Sequence, residues 1–297
     1  MATILVTGIK SFVGSHLLPY LYSEGHTIYG TCRGPELSEQ DIRRTFCKKI
    51  YYGDLTQSIL LDRLDFAPER IINLAALTQQ SGVSISQMID SNIISVQNLI
   101  EFARYANAKQ FIHLSTVSIH GDISSPILNQ HEGSKNLNTY GITKKIGEFV
   151  LEDSTFEGEI LALRLPAVVG KGAKSHWLSS VMQKALAGEE IIFDNPESLF
   201  NNVVHVRDLC RFISQLLGAQ GYGFHGFPLA SEEPMKVSSI LNRMLEVSNS
   251  KSILTPRIVN RPTFTIDDSF AKAKYGYHSM TVIEAISEYA LSEVLNR

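Results

Sequence analysis

The chain has few of the residues that mark disulfide-bonded and metal-binding proteins. Its 297 residues include three cysteines, Cys32, Cys47 and Cys210, which are far apart in the sequence. An odd number without close spacing fits neither a disulfide framework nor a zinc site. The nine histidines show no zinc-like spacing either. We therefore expect a cytoplasmic protein with reduced thiols and no metal ion.

Long apolar runs and a strong charge of one sign are also missing. No apolar stretch approaches the roughly 20 residues that a membrane helix needs. The first residues, MATILVTG, lack the basic start and long apolar core of a signal peptide. The formal net charge is -3 and the basic residues are scattered. We therefore expect neither a membrane nor a nucleic acid as a partner, and a small molecule as the substrate.

Over the first two-thirds of the chain, short apolar runs rich in β-branched residues alternate with amphipathic stretches. This alternation predicts an α/β fold with a Rossmann-like, doubly wound parallel sheet covered by helices on both faces. Such a sheet binds ligands beyond the carboxyl ends of its strands. We expect strands at residues 3–7, 27–32, 49–52, 70–74, 110–114 and 160–165, and helices at 12–23, 86–105 and 138–151.

The alternation weakens after Pro166, where Gly, Pro, Asn and Ser become frequent. We interpret residues 1–166 as a dinucleotide-binding domain and 167–297 as a smaller α/β substrate-binding lobe. Residues 202–218 are expected to return to the first domain. The chain is therefore expected to cross between the two domains more than once.

Residues 5–14, LVTGIKSFVG, are typical of the turn that binds a dinucleotide between a strand and a helix. Gly8 permits the tight turn and Gly14 lets the helix pack closely on the sheet. Ser11 replaces the usual middle glycine. The start of the helix offers N–H groups and a partial positive charge to a pyrophosphate. The expected cofactor contacts here are Gly8, Lys10, Ser11, Phe12, Val13 and Gly14.

Residues after the next strands favour NADP as the cofactor. NAD-binding sheets usually carry an acidic residue after the second strand, whereas Arg33 occupies that place and can pair with a 2′-phosphate. Lys10 adds a second positive charge, and Asp54 could meet the adenine amino group. NAD stays the alternative. The other cofactor contacts that we expect are Leu55, Leu74, Ala75, Ala76 and Leu165.

Tyr140 and Lys144 stand four residues apart in NTYGITKK, which places them on one face of a helix. A free tyrosine has a pKa of about 10, so it transfers protons poorly at neutral pH. A nearby ammonium group and a charged nicotinamide would lower that pKa. The preceding strand ends in Ser115 and Thr116, and a hydroxyl there can hold a substrate oxygen close to the tyrosine.

These motifs together resemble the extended short-chain dehydrogenase/reductases, the NAD-dependent epimerase/dehydratase group that modifies nucleotide sugars. The resemblance covers essentially the whole chain and includes Leu163-Arg164 and the segment VHVRD at 204–208. It implies that Tyr140 is the acid/base, that Lys144 binds the nicotinamide ribose, and that Thr116 orients the substrate. It also implies a homodimer. The substrate contacts that we expect are Thr78, Thr116, Ser118, Tyr140 and Asn202.

Within this family, the residues after Thr116 exclude dehydration. Dehydratases carry an Asp-Glu pair there, whereas this chain has Val117 and Ser118. Epimerases often carry an asparagine where Ala167 stands. Together with Arg33, this favours an NADPH-dependent reductase of a nucleotide-linked 4-keto-deoxysugar. A 4-epimerase with tightly bound NAD is the alternative, and a non-catalytic cofactor-sensing protein is the third possibility.

Overall fold

The computed structural model describes residues 1–78, 82–174 and 176–296 of the chain. Strands and helices alternate along these ranges. The strands are β1 (Thr3–Thr7), β2 (Thr27–Cys32), β3 (Lys49–Tyr52), β4 (Arg70–Asn73), β5 (Gln110–Thr116), β6 (Ile127–Leu128), β7 (Glu159–Leu165), β8 (Ala167–Val169), β9 (Ile191–Asp194), β10 (Leu199–Phe200), β11 (Val203–His205), β12 (Gly223–Pro228), β13 (Met235–Lys236), β14 (Leu254–Arg257) and β15 (Thr265–Ile266).

The helices differ widely in length, from one turn to four. They are α1 (Phe12–Ser23), α2 (Arg43–Phe46), α3 (Ser58–Asp62), α4 (Ile85–Ile89), α5 (Ser95–Tyr105), α6 (Thr139–Glu152), α7 (Trp177–Ala187), α8 (Val206–Leu216), α9 (Val237–Ser248), α10 (Ser269–Tyr275) and α11 (Val282–Val294). A π-helical turn, Asp90–Ile94, lies between α4 and α5, and a 3-10 turn, Val117–His120, follows β5.

Contacts between residues divide the chain into two compact units. The first unit contains Met1–Gly121, Ser134–Arg164 and Cys210–Phe227, and the second contains the remaining segments from Asp122 onward. The sequence-based boundary at residue 166, with a returning segment at 202–218, stays a prediction about domains. None of the helices within the described ranges is long and apolar enough to cross a membrane.

The first unit is built on a seven-stranded sheet in the order β12-β7-β5-β4-β1-β2-β3. β1 pairs in parallel with β2 on one side and with β4 on the other, and β4 continues in parallel to β5. The order of the strands reverses at β1, which creates the crevice where such sheets bind ligands. The predicted Rossmann-like α/β fold is confirmed.

The centre of this sheet is apolar on both faces, as its continuous runs of branched residues predict. Leu5 of β1, Ile71 of β4 and Phe111 of β5 are completely buried, together with Val96 and Leu99 of α5. Their side chains interlock at the density of a protein core, so the strand ends are held at fixed positions. The residues that follow each strand therefore lie at defined points along one edge.

The segment 86–105 is helical along its whole length, as predicted, but one of its turns is not α-helical. A π-helical turn, Asp90–Ile94, separates α4 from α5. Asn92 in this turn is completely buried, and its amide forms two hydrogen bonds with the backbone of Leu77, at 2.8 and 2.9 Å. Its Nδ2 also donates to Thr143 Oγ1 at 3.0 Å. The extra residue of the π turn turns this amide inward, a distortion that often marks a functional region.

The second unit contains short strands paired two by two. β8 pairs with β11, β9 with β14 and β6 with β15 in parallel, and β10 pairs with β13 antiparallel. Asn201 joins distant segments, because its amide donates to and accepts from the backbone of Ile266, at 2.8 Å each way. Two completely buried tyrosines, Tyr277 and Tyr289, fill the interior of this unit.

Candidate active site

The turn after β1 has the geometry that its glycines predict. Gly8 adopts a φ of +66°, a conformation that side chains other than hydrogen disfavour. A Cβ atom on Gly8 would lie 2.9 Å from Ala75 N, and one on Gly14 would lie 2.9 Å from Gly8 O. Ser11 caps α1, since its Oγ accepts the Gly14 N–H at 3.0 Å. A serine at this position therefore stabilises the helix start that faces a pyrophosphate.

A cavity of about 300 Å³ lies beyond the carboxyl ends of β1, β2, β3 and β4. This is the edge of the sheet at which α/β proteins bind nucleotides. Nine of the residues predicted to bind the cofactor line it: Gly8, Lys10, Ser11, Arg33, Asp54, Leu55, Leu74, Ala75 and Ala76.

Two positive side chains lie at the β2 end of this cavity. Arg33 Nη1 is 3.9 Å from Asp54 Oδ2, and the two side chains are 55% and 36% exposed. Such an exposed pair is weak, so the guanidinium can bind another anion. Lys10 Nζ donates to the backbone oxygen of Pro35 at 2.8 Å. Burial raises the pKa of Cys32, while the positive charge of Lys10 opposes this shift.

The cavity also contains residues that the sequence reasoning missed. Thr31 and Cys32 end β2, Gly53 precedes Asp54, and Ser91 and Ser95 come from the π turn and α5. Thr31 Oγ1 is buried and has no hydrogen-bond partner within the described part of the chain. Thr31 and Cys32 could have been found from their place at a carboxyl strand end. The two serines could not, because the helical pattern hides the π turn that contains Ser91 and directly precedes Ser95.

Thr116 and Tyr140 lie together at the end of β5. Thr116 Oγ1 accepts the Ser118 N–H and lies 3.2 Å from Ser118 Oγ. Asn138 caps α6 through the Gly141 N–H at 2.8 Å, which places Tyr140 in the first helical turn. Burial raises the pKa of Tyr140 to about 12, and a hydrogen bond from Thr116 opposes the shift. The protein's own groups therefore hold Tyr140 as the neutral phenol.

Lys144 lies one turn further along α6 and is almost completely buried. Its Nζ donates to the backbone oxygen of Leu114 at 2.7 Å and lies 2.9 Å from His113 Nε2. Burial lowers the pKa of Lys144 to about 8, while the charge of Glu148 opposes the shift. The lowered tyrosine pKa that the family resemblance implies is thus not produced by Lys144 alone.

A buried ion pair supports this face of α6. Glu148, one further turn along the helix, accepts from Arg164 of β7, with 2.9 Å between Oε2 and Nη2. The two side chains are only 2% and 8% exposed. Ser115 Oγ also donates to Glu148. Neighbouring residues of a strand face opposite sides of the sheet. Ser115 therefore contacts the ion pair, whereas Thr116 faces Tyr140.

Other predicted site residues lie elsewhere. Phe12 packs its ring against His16 at 5.1 Å, and it does not line the cavity, nor do Val13 and Gly14. Thr78 is exposed after β4. Leu165 and Asn202 belong to the second unit. Their roles towards cofactor and substrate stay predictions.

Comparison with known proteins relates this site to a family. Residues 4–225 match the NAD dependent epimerase/dehydratase family. The protein CapI of Staphylococcus aureus is 27% identical over 267 residues, covering 80% of this chain and 78% of its own. UDP-glucose 4-epimerase of Caenorhabditis elegans is 24% identical over an alignment of 332 positions, covering 95% and 94%. The solved structure of MoeE5 in complex with UDP-glucose and NAD has a TM-score of 0.82 at 20% identity, covering 99% of both chains.

The chain belongs to the NAD-dependent epimerase/dehydratase family. It is an NAD(P)-dependent enzyme of the extended short-chain dehydrogenase/reductase kind, as the sequence motifs predict. Its relatives include enzymes of nucleotide-linked sugars, among them UDP-glucose 4-epimerase and dTDP-4-dehydro-6-deoxy-D-allose reductase.

Proposed function

We propose that the protein is a 4-epimerase of a nucleotide-linked sugar that uses NAD. The observation that carries the proposal is the complete set of Thr116, Tyr140 and Lys144 without a carboxylate after Thr116. This set supplies proton transfer for oxidation and reduction and lacks the acids for dehydration. The related proteins support epimerisation more strongly than the reductase that the sequence alone favours.

The cavity in the first unit fits a dinucleotide. The positive Gly8 φ and the capped start of α1 leave room and N–H groups for a pyrophosphate. Thr31 lines the cavity, and its Oγ1 is a buried hydroxyl without a protein partner in the described ranges. Small residues, Ala75 and Ala76, form the facing wall. A dinucleotide held there would supply the hydride acceptor for oxidation of the sugar carbon and the hydride donor for its reduction from the opposite face.

Tyr140 moves the proton in this reaction. It takes the proton of the sugar hydroxyl during oxidation and gives it back during reduction. Thr116 lies against it and holds the sugar oxygen. Because the protein raises the pKa of Tyr140 to about 12, ionisation of the tyrosine requires an added positive charge. The ammonium form of Lys144, one helical turn away, and a charged nicotinamide would together supply this charge.

A second candidate is an NADPH-dependent reductase of a 4-keto sugar. Arg33 and Lys10 favour it, because two positive side chains at the β2 end of the cavity suit a 2′-phosphate. In this reaction the carbonyl carbon receives a hydride, and Tyr140 gives its proton to the carbonyl oxygen. Thr116 holds that oxygen. The same residues thus act in both reactions, so the two candidates are distinguished by the cofactor that the protein binds.

Cofactor retention and product analysis separate the candidates. The purified protein is denatured to release its nucleotide, and the native protein is incubated with UDP-glucose deuterated at C4. A 4-epimer that retains the deuterium, with stoichiometric NAD released, is the expected result. An empty protein that binds NADPH in preference to NADH and consumes it with a nucleotide-linked 4-keto sugar would establish the reductase instead. Binding of neither cofactor would leave a non-catalytic protein.

We also propose that the protein is a homodimer. Ile142, Ile146 and Phe149 of α6 are 39–52% exposed, and Ile85 and Ile89 of α4 are 61% and 40% exposed. Apolar residues grouped on helices of one unit suit a helix-to-helix interface. Sedimentation equilibrium should give a dimer mass for the native protein and a monomer mass for Phe149→Glu. A monomeric native protein would contradict the proposal.

A further inference from the structure

Four buried polar side chains form a line through the centre of the first unit. They are Thr7, Asn73, His113 and Lys144, and each is at most 1% exposed. Thr7 and Asn73 end β1 and β4, His113 lies in the middle of β5, and the three occupy matched positions in the register of these adjacent strands. Thr7 Oγ1 lies 2.6 Å from Asn73 Oδ1, Asn73 Nδ2 lies 3.0 Å from His113 Nδ1, and His113 Nε2 lies 2.9 Å from Lys144 Nζ.

The orientation of the Asn73 amide is set by its neighbours. Its Oδ1 accepts the hydroxyl hydrogen of Thr7 and also the backbone N–H of Ala75, at 3.2 Å. A backbone N–H can only donate. Reversing the amide would therefore place two N–H donors against each other. The amide nitrogen of Asn73 must face His113.

This orientation selects one tautomer of His113. The NH₂ group of Asn73 only donates, so Nδ1 of His113 must accept. The imidazole is therefore neutral and carries its hydrogen on Nε2. Burial and the charge of Lys144 both lower the pKa of His113 well below its usual value, in agreement with a neutral ring. The Nε2–H points at Lys144 Nζ.

An ammonium group has no lone pair, so it cannot accept this hydrogen bond. A neutral amine can accept from His113 Nε2 and still donate to Leu114 O, at 2.7 Å. We propose that His113 is a positioning residue whose Nε2–H, aimed by Thr7 and Asn73, favours the neutral amine of Lys144 and so sets the pH at which Lys144 gains its proton.

The remaining charges around Lys144 are few. Glu148 on the same helix favours the ammonium form, but Arg164 of β7 neutralises it in a buried pair. Tyr140 is held as the neutral phenol. Asp90 and Glu101, on the π turn and on α5, are exposed. His120 of the 3-10 turn is buried beside the end of β5. Among the residues that the structure describes, His113 is therefore the polar side chain in direct contact with Nζ that can shift the protonation of Lys144.

The consequence for activity rests on the proposed function, whereas the protonation of Lys144 does not. If Lys144 gains its proton near neutral pH, the positive charge that Tyr140 needs varies with pH over the working range of the enzyme. The inference can be tested on the cofactor-free protein without any substrate. Its failure is thus distinguishable from failure of the proposed function.

The tautomer can be observed in the native protein. Long-range ¹H–¹⁵N spectra of ¹⁵N-histidine-labelled protein should show His113 with a protonated Nε2 and an unprotonated Nδ1 from about pH 5 to about pH 9. An Nδ1–H tautomer, or an imidazolium that forms within this range, would overturn the proposal. This measurement needs a variant only to assign the signal.

Variants of His113 test the effect on Lys144. The substitution His113→Asn keeps an oxygen that can accept from the Asn73 amide, but it removes the Nε2–H that faces Lys144 Nζ. The carboxamide in His113→Gln can turn its oxygen toward Nζ, which favours the ammonium. Titration of the Lys144 ¹³Cε signal, assigned by its loss in Lys144→Met, should move upward by about one pH unit in either variant, a tenfold change in proton affinity.

The matched control is His176→Asn in the second unit. His176 is also partly buried and caps α7 through its Nδ1, a role that asparagine can fill. The Lys144 midpoint should stay unchanged in this variant. An unchanged midpoint in a folded His113 variant would overturn the proposal. If one His113 variant does not fold, the Lys144 midpoint in the other variant and the His113 tautomer in the native protein still test the proposal.

Discussion

The cofactor cavity and the catalytic cluster lie at the ends of neighbouring strands in the first unit, yet they are built differently. The cavity consists of backbone turns and small residues, with exposed charges such as Arg33 and Asp54. The cluster consists of buried titratable side chains, His113, Lys144 and Glu148, each at most 2% exposed. Water screens the first set and not the second. Changes in the cluster should therefore have larger effects than changes in the cavity.

The largest effect is expected from Tyr140→Phe. Loss of the proton carrier should lower kcat by about 10² to 10⁴-fold, while the affinity for the dinucleotide changes little. Rate measurements and cofactor titration on the same preparation separate the two effects. Tyr105→Phe is the control, since Tyr105 is 88% exposed. An active Tyr140→Phe protein would remove Tyr140 from the mechanism.

Breaking the buried ion pair should be the largest change in stability. Glu148→Gln leaves Arg164 buried without a compensating charge, which costs about 3–5 kcal/mol of unfolding free energy. The matched control is Glu197→Gln, which removes the exposed pair with Lys236, whose side chains are 71% and 54% exposed. That change should cost less than about 1 kcal/mol. Urea unfolding measures both, and equal costs would contradict the contrast between buried and exposed pairs.

The pH dependence of stability tests the burial of Lys144. Burial lowers its pKa to about 8 in the folded protein, from the ordinary lysine value of 10.5. The unfolded chain binds the proton more tightly, so folding gains stability as the pH rises between these values. Relative to Lys144→Met, the native protein should gain about 2 kcal/mol from pH 8 to pH 10. The unfolding free energy of both proteins is measured by urea denaturation at each pH. The same dependence on pH in the two proteins would contradict the lowered pKa of Lys144.

The smallest effect is expected at the rim of the cavity. Arg33→Ala removes a charged partner for a 2′-phosphate, so NADPH binding should weaken about tenfold while NADH binding is unchanged. Fluorescence titration with both cofactors measures the ratio. Arg104→Ala is the control, since Arg104 is exposed at the end of α5 and outside the cavity lining. Unchanged discrimination in Arg33→Ala would remove the argument for NADPH and strengthen the NAD-dependent epimerase.

The sequence predicted the parts of the fold that depend on local pattern. The strands at 3–7, 27–32 and 49–52 have the predicted bounds, because continuous apolar runs between glycines can form little else in a covered parallel sheet. The helix at 86–105 was predicted as one element. Its π turn depends on two hydrogen bonds between Asn92 and Leu77, which no helical periodicity contains.

The same distinction holds for the two parts of the candidate site. The residues that line the cavity follow strand ends, so their positions in the sequence place most of them along one edge. The cluster around Lys144 could not be read in this way. His113 is one more residue of a buried strand in the sequence QFIHLST. Its partner Asn73 lies 40 residues away, and only the pairing of β4 with β5 brings them together.

The amino-acid sequence by itself determined the Rossmann-like sheet, the family and the placing of Tyr140 one helical turn before Lys144, because local periodicity and strand ends carry that information. Only the tertiary structure decided the protonation of these groups. Burial raises the pKa of Tyr140 to about 12 and lowers that of Lys144 to about 8, while the hydrogen bond from Thr116 and the charge of Glu148 oppose these shifts. Desolvation and hydrogen bonding act between segments that are remote in the chain, so no local pattern contains them.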